Sequence, residues 1–375
     1  MSTEVNKNCS CKLNSLPTNH CPSCPEPVDN DFITFSGLCN DTADFLLNNN
    51  NWTELTINGS VLVPEVKPSI EQVEGINTKI EIIRSKVIET PTSYSLIPNF
   101  EGRIVTGTKL IVEGLICVSV SYVSKKIDQS IHSFHGKIPF SAYIVLPYLT
   151  ALTAPFHVSV CIEDITVKQV CDRKINLTTT FVLNAIPVAS TDGEECFIDC
   201  DMIPSEKLTC ECDSGTPEIK GLCNSKNLLS EGEKSWTEIF IPEILNVPFY
   251  KPPVEQILSV TSKVEIFCQK VIETPTRTTN NEGLILSGLK LVIEGMLRQK
   301  IVYVAKTESQ SVHAVHFDVP ISTFIVLDGD NDTLTDKFKV FPCIEDIFIC
   351  ILNDKQIFKN TTLFFKATKL ECPTP

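Results

Sequence analysis

The chain has no excess of basic residues and no long unbroken hydrophobic run. Its 32 Lys and Arg residues against 46 Asp and Glu residues leave a formal net charge of −14. An acidic chain offers no positive field to the phosphates of DNA or RNA, so nucleic acid is not an expected partner. The longest apolar stretch, residues 140–156, is interrupted by Pro147 and Pro155 and is too short to cross a bilayer. We therefore predict no membrane span.

Signatures of catalysis and of export are missing as well. The sequence contains no P-loop, no Gly-x-Gly-x-x-Gly after a strand, no His-Glu-x-x-His and no local nucleophile signature. We predict that the protein is not an enzyme, that it has no catalytic, cofactor-binding or metal-binding residues, and that it needs no cofactor. Residues 1–10 include a single Lys and no apolar run, which predicts synthesis without a secretory signal peptide.

Cysteine, in contrast, is abundant, with 17 residues in the chain. Cytosolic thiols are kept reduced, and this density is typical of exported disulfide proteins. The odd number means that at least one thiol is free or bonded to another molecule.

The chain consists of two copies of one pattern. The recurring segments are 37–40 with 221–224, 52–54 with 236–238, 86–92 with 270–276, and 109–114 with 290–295. The spacing is 184 residues at first, as between Gly37 and Gly221, and 181 later, as between Lys109 and Lys290. A repeat of this kind indicates tandem domains. We predict a first domain at residues 37–190 and a second at residues 221–375.

Cysteine-rich segments precede both domains, as an arm at residues 1–36 and a linker at residues 191–220. Each segment is rich in Asn, Ser, Pro, Asp and Glu and has too few large apolar residues for a core, so we predict extended arms. Their cysteines are Cys9, Cys11, Cys21 and Cys24, and Cys196, Cys200, Cys210 and Cys212. Residues 31–35, at the end of the first arm, have a composition suited to a strand added to the sheet edge of another chain.

Within the domains, apolar residues mostly alternate with polar ones, which indicates strands with one buried face. Leu110, Val112, Ile116 and Val118 follow this pattern, and Gly114 within the run indicates a bend or bulge. Polar turns at 171–172 and 353–354 predict a hairpin near the end of each domain. One short helix is expected, after Pro252-Pro253. The predicted fold is mainly β: two tandem β-sandwich or jelly-roll-like domains, with an open barrel as the alternative.

Several segments of the second copy resemble the SPOCS domain of clostridial spore-coat-associated proteins. They are 271–275, 282–283, 290–295, 300–305 and 310–327, and the first copy is similar more loosely at 129–135 and 139–146. The resemblance implies a place on the spore surface and assembly with other proteins. Members of this family often add a LysM module that binds peptidoglycan, which we do not expect here because there is no room for one after residue 372.

A spore reconciles abundant cysteine with the expected absence of a signal peptide. A protein made in the mother-cell cytoplasm and deposited on the spore meets oxidising conditions once that cell lyses. The sequence thus predicts a structural, self-assembling subunit of the coat, exosporium or an appendage, with itself and other coat proteins as partners. The alternatives are an adaptor that recruits another coat protein without polymerising, and a zinc-binding protein.

Disulfides are the favoured fate of the cysteines, with zinc sites in the arms as the alternative, where His20 adds a ligand. Cys39, Cys161, Cys223 and Cys343 recur at equivalent positions in both domains, which predicts one intradomain bridge in each, Cys39 with Cys161 and Cys223 with Cys343. The predicted intermolecular cysteines are Cys9, Cys11, Cys21, Cys24, Cys196, Cys200, Cys210, Cys212 and Cys372.

Other repeated residues are given a structural interpretation. The pairs His132/His135 and His313/His316 lie three apart, so that on a strand the two members face opposite sides and do not converge on a metal. The adjacent carboxylates Glu163-Asp164 and Glu345-Asp346 are expected at a solvated turn or edge. Trp52 and Trp236 are expected as core anchors.

Overall fold

A computed structural model describes residues 33–39, 45–46, 49–188, 216–277, 279–280 and 283–370. The nine cysteines predicted to form intermolecular bonds lie outside these ranges, so their bonding stays a prediction.

The first half of the chain forms two antiparallel sheets, apart from one short strand that pairs in parallel. The four-stranded sheet, in the order β1-β3-β4-β5, contains β1 (Thr34–Ser36), β3 (Ile70–Thr92), β4 (Thr106–Ser124) and β5 (Ile131–Val145). The three-stranded sheet, in the order β2-β7-β6, contains β2 (Trp52–Leu62), β6 (Phe156–Cys171) and β7 (Lys174–Pro187). A single turn of 3₁₀ helix, Tyr94–Leu96, lies between β3 and β4.

The second half repeats this topology strand for strand. Its four-stranded sheet, in the order β8-β10-β11-β12, contains β8 (Glu218–Lys220), β10 (Val254–Arg277), β11 (Leu286–Ala305) and β12 (Val312–Val326). Its three-stranded sheet, in the order β9-β14-β13, contains β9 (Trp236–Asn246), β13 (Phe338–Asn353) and β14 (Gln356–Lys369). The predicted fold class, mainly β with two tandem sandwiches, is confirmed.

Each domain has its own core between the inner faces of its two sheets. On β4 the inward residues include Leu110, Val112 and Ile116, all buried, and β11 buries Leu291 and Ile293 in the same way. Alternate side chains of a strand face the same side, so the period of two in the sequence specifies which residues enter the core. Burying such a side chain contributes about 1.5 to 3 kcal/mol relative to leaving it exposed.

Gly114 stands opposite a bulge in β3. The β3–β4 register shifts between Ile82 and Arg84, and Gly114 is the partner of Ile82. A Cβ atom at position 114 would lie 2.5 Å from the Phe140 ring and 2.6 Å from the Glu81 carbonyl oxygen. Only glycine fits there, and the bulge projects the side chains of Ile83 and Arg84 away from the core.

Two local predictions are wrong. Val254 to Ile257 begins β10 rather than a helix, because Val254 and Ile257 are buried and pair with Ala305 and Tyr303 of β11. Thr34–Ser36 pairs in parallel with Gly75 to Asn77 of its own chain, so this segment is not offered to another molecule. The predicted hairpins are correct, since β6 turns into β7 and β13 into β14.

No helix among the residues that the structure describes is long and apolar enough to span a membrane.

Candidate functional site

The two domains touch through opposite faces. The outer face of the first domain's four-stranded sheet lies against the outer face of the second domain's three-stranded sheet. Outward residues of β4 are fully covered there: Ile111, Glu113 and Leu115 are buried, whereas Cys117 and Ser119, farther along the strand, are partly exposed. The contact therefore covers the first half of β4, and it is the most elaborate polar arrangement in the described structure.

Lys109 of β4 lies at the centre of this contact. Its buried Nζ pairs with a carboxylate oxygen of Glu238 on β9 and with one of Glu345 on β13. Burial lowers the pKa of Lys109, but the two carboxylates outweigh burial, so the pKa lies above its usual range and the lysine keeps its charge. Thr90 Oγ1 of β3 also donates to Glu238, at 3.2 Å, and to Glu345, at 3.1 Å.

Arg84, beside the β3 bulge, forms a second ionic bridge. Its guanidinium donates to Glu113 of its own domain at 3.1 Å and to Asp346 of the second domain at 2.6 Å. It also lies 5.2 Å from the centre of the Phe348 ring, within cation–π range. Lys86 adds a contact to Asp346 at 3.2 Å. Both carboxylates of Glu345-Asp346 are thus neutralised by cations of the other domain.

Two carboxyl groups in the contact have raised pKa values. Burial raises the pKa of Glu113 to about 7, against the opposing charge of Arg84. Burial also raises the pKa of Glu345 to about 7, with the charge of Lys109 opposing and that of Glu238 adding to the rise. Burial penalises the ionised form of a carboxyl group because low-polarity surroundings solvate charge poorly. Both carboxyl groups therefore keep their protons to a higher pH than an exposed glutamate does.

Aromatic residues close the edges of the ionic centre. Tyr143 of β5 and Phe240 of β9 have ring centres 5.0 Å apart, and Lys109 Nζ lies 5.3 Å from the Tyr143 ring. Trp236 stacks on Phe364 at 5.3 Å and packs with Val105 of the first domain. Exclusion of water by these rings strengthens the ion pairs that they surround.

The structure corrects two sequence-based predictions here. Glu345 and Asp346 are not at a solvated edge but are buried in the domain contact, whereas Glu163 and Asp164 are exposed as expected. Neither tryptophan belongs to the core of a sandwich. Trp236 is buried at the domain contact, and Trp52 is exposed on the outer face of β2.

Lys109 and Arg84 were not predicted from the sequence as contact residues. An available signal lay in the outward positions of the second copy. Phe240, Phe348 and Phe358 stand where the first copy has Thr56, Thr166 and Asn176, and a large apolar residue at an outward position predicts a covered face.

A disulfide occurs at equivalent positions in the two domains. Cys39 is bonded to Cys161, with Cα atoms 5.2 Å apart, and Cys223 is bonded to Cys343, with Cα atoms 5.5 Å apart. These are the pairs that the repeat predicted. Each disulfide ties the segment after the short parallel strand to the opposite sheet and so joins the two layers of its sandwich.

The paired histidines stay apart from this site. His132 Nε2 lies 3.0 Å from Ser130 Oγ, and His313 Nε2 lies 2.9 Å from Ser311 Oγ, the same contact in both copies. Within the described ranges, no group of three His, Cys, Asp or Glu side chains is placed to hold a metal ion.

Comparison with known proteins identifies the repeated domain. No curated protein matches the chain. A solved structure, a crystal structure of lipopolysaccharide binding protein, aligns over 85% of this chain and 78% of its own at 11% identity, but its TM-score of 0.10 carries no argument. The family model described as the SipL SPOCS domain matches residues 69–176 and residues 253–352, together more than half of the chain and one match in each domain. The chain therefore belongs to the SipL SPOCS-domain family, which makes it a sporulation-related protein.

Proposed function

We propose that the chain is a structural, non-enzymatic subunit of the spore surface, which assembles with copies of itself and is cross-linked by disulfides through its cysteine-rich arms. The observation that carries this proposal is the domain contact. Two family domains in one chain are joined face to face through buried ion pairs, with Lys109 between Glu238 and Glu345. Such a contact makes a stiff two-module unit, which suits a building block.

The chemistry of the site supports this proposal. Its charged groups are neutralised by one another, and its lysine and arginine are held by carboxylates. Buried charges of this kind, once paired, resist separation, because breaking a pair leaves a charge buried without a partner. The groups therefore act by holding surfaces together.

The arms supply the covalent step of the proposal. A tethered thiol lies at a high effective concentration near its partner once two molecules have docked. Oxidation of two thiols to a disulfide releases two protons and two electrons, which molecular oxygen or a disulfide of another molecule accepts after the mother cell lyses. A linkage made in this way persists on dilution, as a spore surface requires.

Two measurements test the proposal. Immunogold labelling of mature spores should place the protein at the surface. Purified protein kept under oxidising conditions should give ladders on a non-reducing gel and regular assemblies in negative-stain electron microscopy, both lost with reductant. Labelling inside the spore core would refute the proposed location. A discrete complex with another coat protein, without ladders, would instead establish an adaptor.

A further inference from the structure

The domain contact uses one face of each domain and leaves the equivalent face of the other domain exposed. The first domain contributes its four-stranded sheet, and its own three-stranded outer face remains exposed. The second domain contributes its three-stranded sheet, and its own four-stranded outer face remains exposed. Because both domains have the same topology, each exposed face is the counterpart of a face that is already engaged.

The exposed three-stranded face of the first domain carries the acidic half of the contact. Glu54, Glu163 and Asp164 are exposed there, at the positions of Glu238, Glu345 and Asp346. Partial burial and the neighbouring carboxylate of Glu54 raise the pKa of Glu163. No ion pair to these three carboxylates is formed by the lysines and arginines that the structure describes. The face thus has the negative charges of the engaged face without the cation that neutralises them.

A tryptophan on this face also lacks its cover. Trp52 is 45% exposed, whereas Trp236, its counterpart, is 2% exposed under the other domain. Trp52 begins the edge strand β2, two residues before Glu54 on the same face, and tryptophan is among the residue types enriched at the anchors of protein interfaces. Trp52 marks the place where a partner domain would lie.

The exposed four-stranded face of the second domain carries the cationic half. Lys290 stands at the position of Lys109, and its Nζ lies 4.0 Å from the centre of the Phe324 ring, as Lys109 lies over Tyr143. Lys270, counterpart of Lys86, is exposed beside it.

Apolar and polar groups on this second face also lack the partners that their counterparts have. Phe267 is 58% exposed at the bulge position of Ile83, which packs against the Phe348 cluster of the other domain. Thr274 Oγ1 is itself buried and has no hydrogen-bond partner within the described structure, whereas its counterpart Thr90 Oγ1 donates to two carboxylates. The face is shaped for the same acidic partner.

We propose that the exposed face of the second domain docks on the exposed face of the first domain of another copy of this chain, and so repeats the contact within the molecule. Lys290 then lies between Glu54 and Glu163 of the next copy, and Trp52 is covered. The two faces differ, so the contact is head to tail. Every added copy presents a fresh pair of faces, which generates a filament unless the rotation closes a ring. This inference deepens the proposed function, on which it rests, by naming the contact that brings copies together before disulfides form.

The intermolecular contact is weaker than the one within the chain. Cys268 stands in place of Arg84, and Thr56 and Thr166 stand in place of Phe240 and Phe348. One guanidinium bridge and the contacts of three aromatic residues are therefore missing, since Asn176 also stands in place of Phe358. A reversible contact suits an assembly step in which copies must align before covalent linkage.

The test uses the full chain with the nine predicted intermolecular cysteines replaced by serine, and a non-reducing gel verifies that the association measured is non-covalent. Glu54→Lys blocks the acidic face, and Lys290→Glu blocks the cationic face. Both residues are on the surface, and circular dichroism verifies that each variant folds. Lys300→Glu is the matched control, because it lies on the same strand at the position of Ser119, which the internal contact leaves partly exposed.

Analytical ultracentrifugation should show that the chain with nine serine replacements, called here the serine background, forms larger species as its concentration rises. Each blocked variant should associate at least about tenfold more weakly, and the control should behave as the background. A mixture of the two blocked variants should associate again, because one intact face of each kind remains and the two reversed charges attract each other. A background that stays monomeric, a mixture that does not associate, or a control as impaired as Lys290→Glu would overturn the proposal.

Failure of this contact and failure of the proposed function give different results. If the serine background is monomeric while the natural chain still gives ladders and surface labelling, only the proposed intermolecular contact is refuted. If copies associate through the contact but the protein is missing from the spore surface, the proposed function is refuted instead.

Discussion

Trp52 and Trp236 occupy the same strand position in the two domains, yet only Trp236 is buried, stacked on Phe364 and packed against Val105 of the first domain. Because these are the only two tryptophans of the chain, fluorescence separates them. Acrylamide should quench one accessible and one protected population in dilute protein. Trp52→Phe should remove the accessible population. Equal quenching of both tryptophans would contradict the buried domain contact.

The Lys109 site predicts a large asymmetry between the repeats. Lys109→Met leaves Glu238 and Glu345 buried without a cation, and loss of one member of a buried ionic group costs about 3 to 5 kcal/mol. We expect that loss in the free energy of unfolding measured with urea. Lys290→Met, the matched change on the uncovered face, should shift it by less than about 1 kcal/mol in dilute protein. Equal effects of the two changes would contradict this assignment.

The raised carboxyl pKa values predict that stability falls as pH rises. The pKa of Glu113 is about 7 in the folded protein and 4.5 in the unfolded chain. Between these two pH values the folded state therefore binds the proton more tightly than the unfolded state does. The free energy of unfolding is then highest below the lower value and decreases up to the higher one, by at most about 3 kcal/mol for this group. The pKa of Glu345 is also raised to about 7, so this residue changes the stability in the same direction.

Glu113→Gln tests whether Glu113 makes the free energy of unfolding fall as pH rises. The amide carries no proton to lose, so the variant should show a shallower decline between about pH 5 and pH 8 in urea titrations. Near pH 8 the variant should be at least as stable as the natural chain, because it lacks the buried negative charge of the Glu113 carboxylate. A decline as steep as before would mean that Glu113 is not its source.

The two intradomain disulfides each close a long loop, with sequence separations of 122 and 120 residues. Constraining a loop of this length stabilises a protein by about 4 to 5 kcal/mol in the chain-entropy account. Cys161→Ser should therefore lower the free energy of unfolding of the first domain by several kcal/mol. Cys117→Ser is the control, since Cys117 forms no disulfide.

Peptide mapping of oxidised protein gives an independent check. It should recover Cys39 linked to Cys161 and Cys223 linked to Cys343. Cys117 should resist iodoacetamide at neutral pH, because burial and the carboxylate of Glu81 raise its pKa to about 12. Rapid alkylation of Cys117 would conflict with this environment.

The arm cysteines carry the covalent cross-links of the proposed function. Replacing Cys9, Cys11, Cys21 and Cys24 with serine should leave a folded protein that no longer forms reductant-sensitive multimers. The same replacement at Cys196, Cys200, Cys210 and Cys212 tests the linker separately. Unchanged ladders in the first variant would exclude the amino-terminal arm as the cross-linker and direct attention to the linker or to Cys372.

The sequence by itself determined the repeat, the strands and their inward faces and the turns of the hairpins, and it suggested the pairing of the intradomain cysteines, which the structure established. Each of these follows from local patterns or from equivalence between copies. Alternation specifies a buried face wherever one side of a strand meets a core, as at Leu110 and Leu291. The short helix after Pro252-Pro253 was wrong because burial of Val254 and Ile257 outweighed the local preference of the prolines.

Only the tertiary structure decided which copy of each repeated residue is covered. Glu163 and Glu345, like Trp52 and Trp236, have nearly the same neighbours along the chain. One member of each pair is buried because the second domain docks with its three-stranded face and the first with its four-stranded face. That choice depends on how the outward side chains of two sheets fit together, and those side chains are distant in sequence. A pattern within one strand contains no information about the face of another domain that will lie against it.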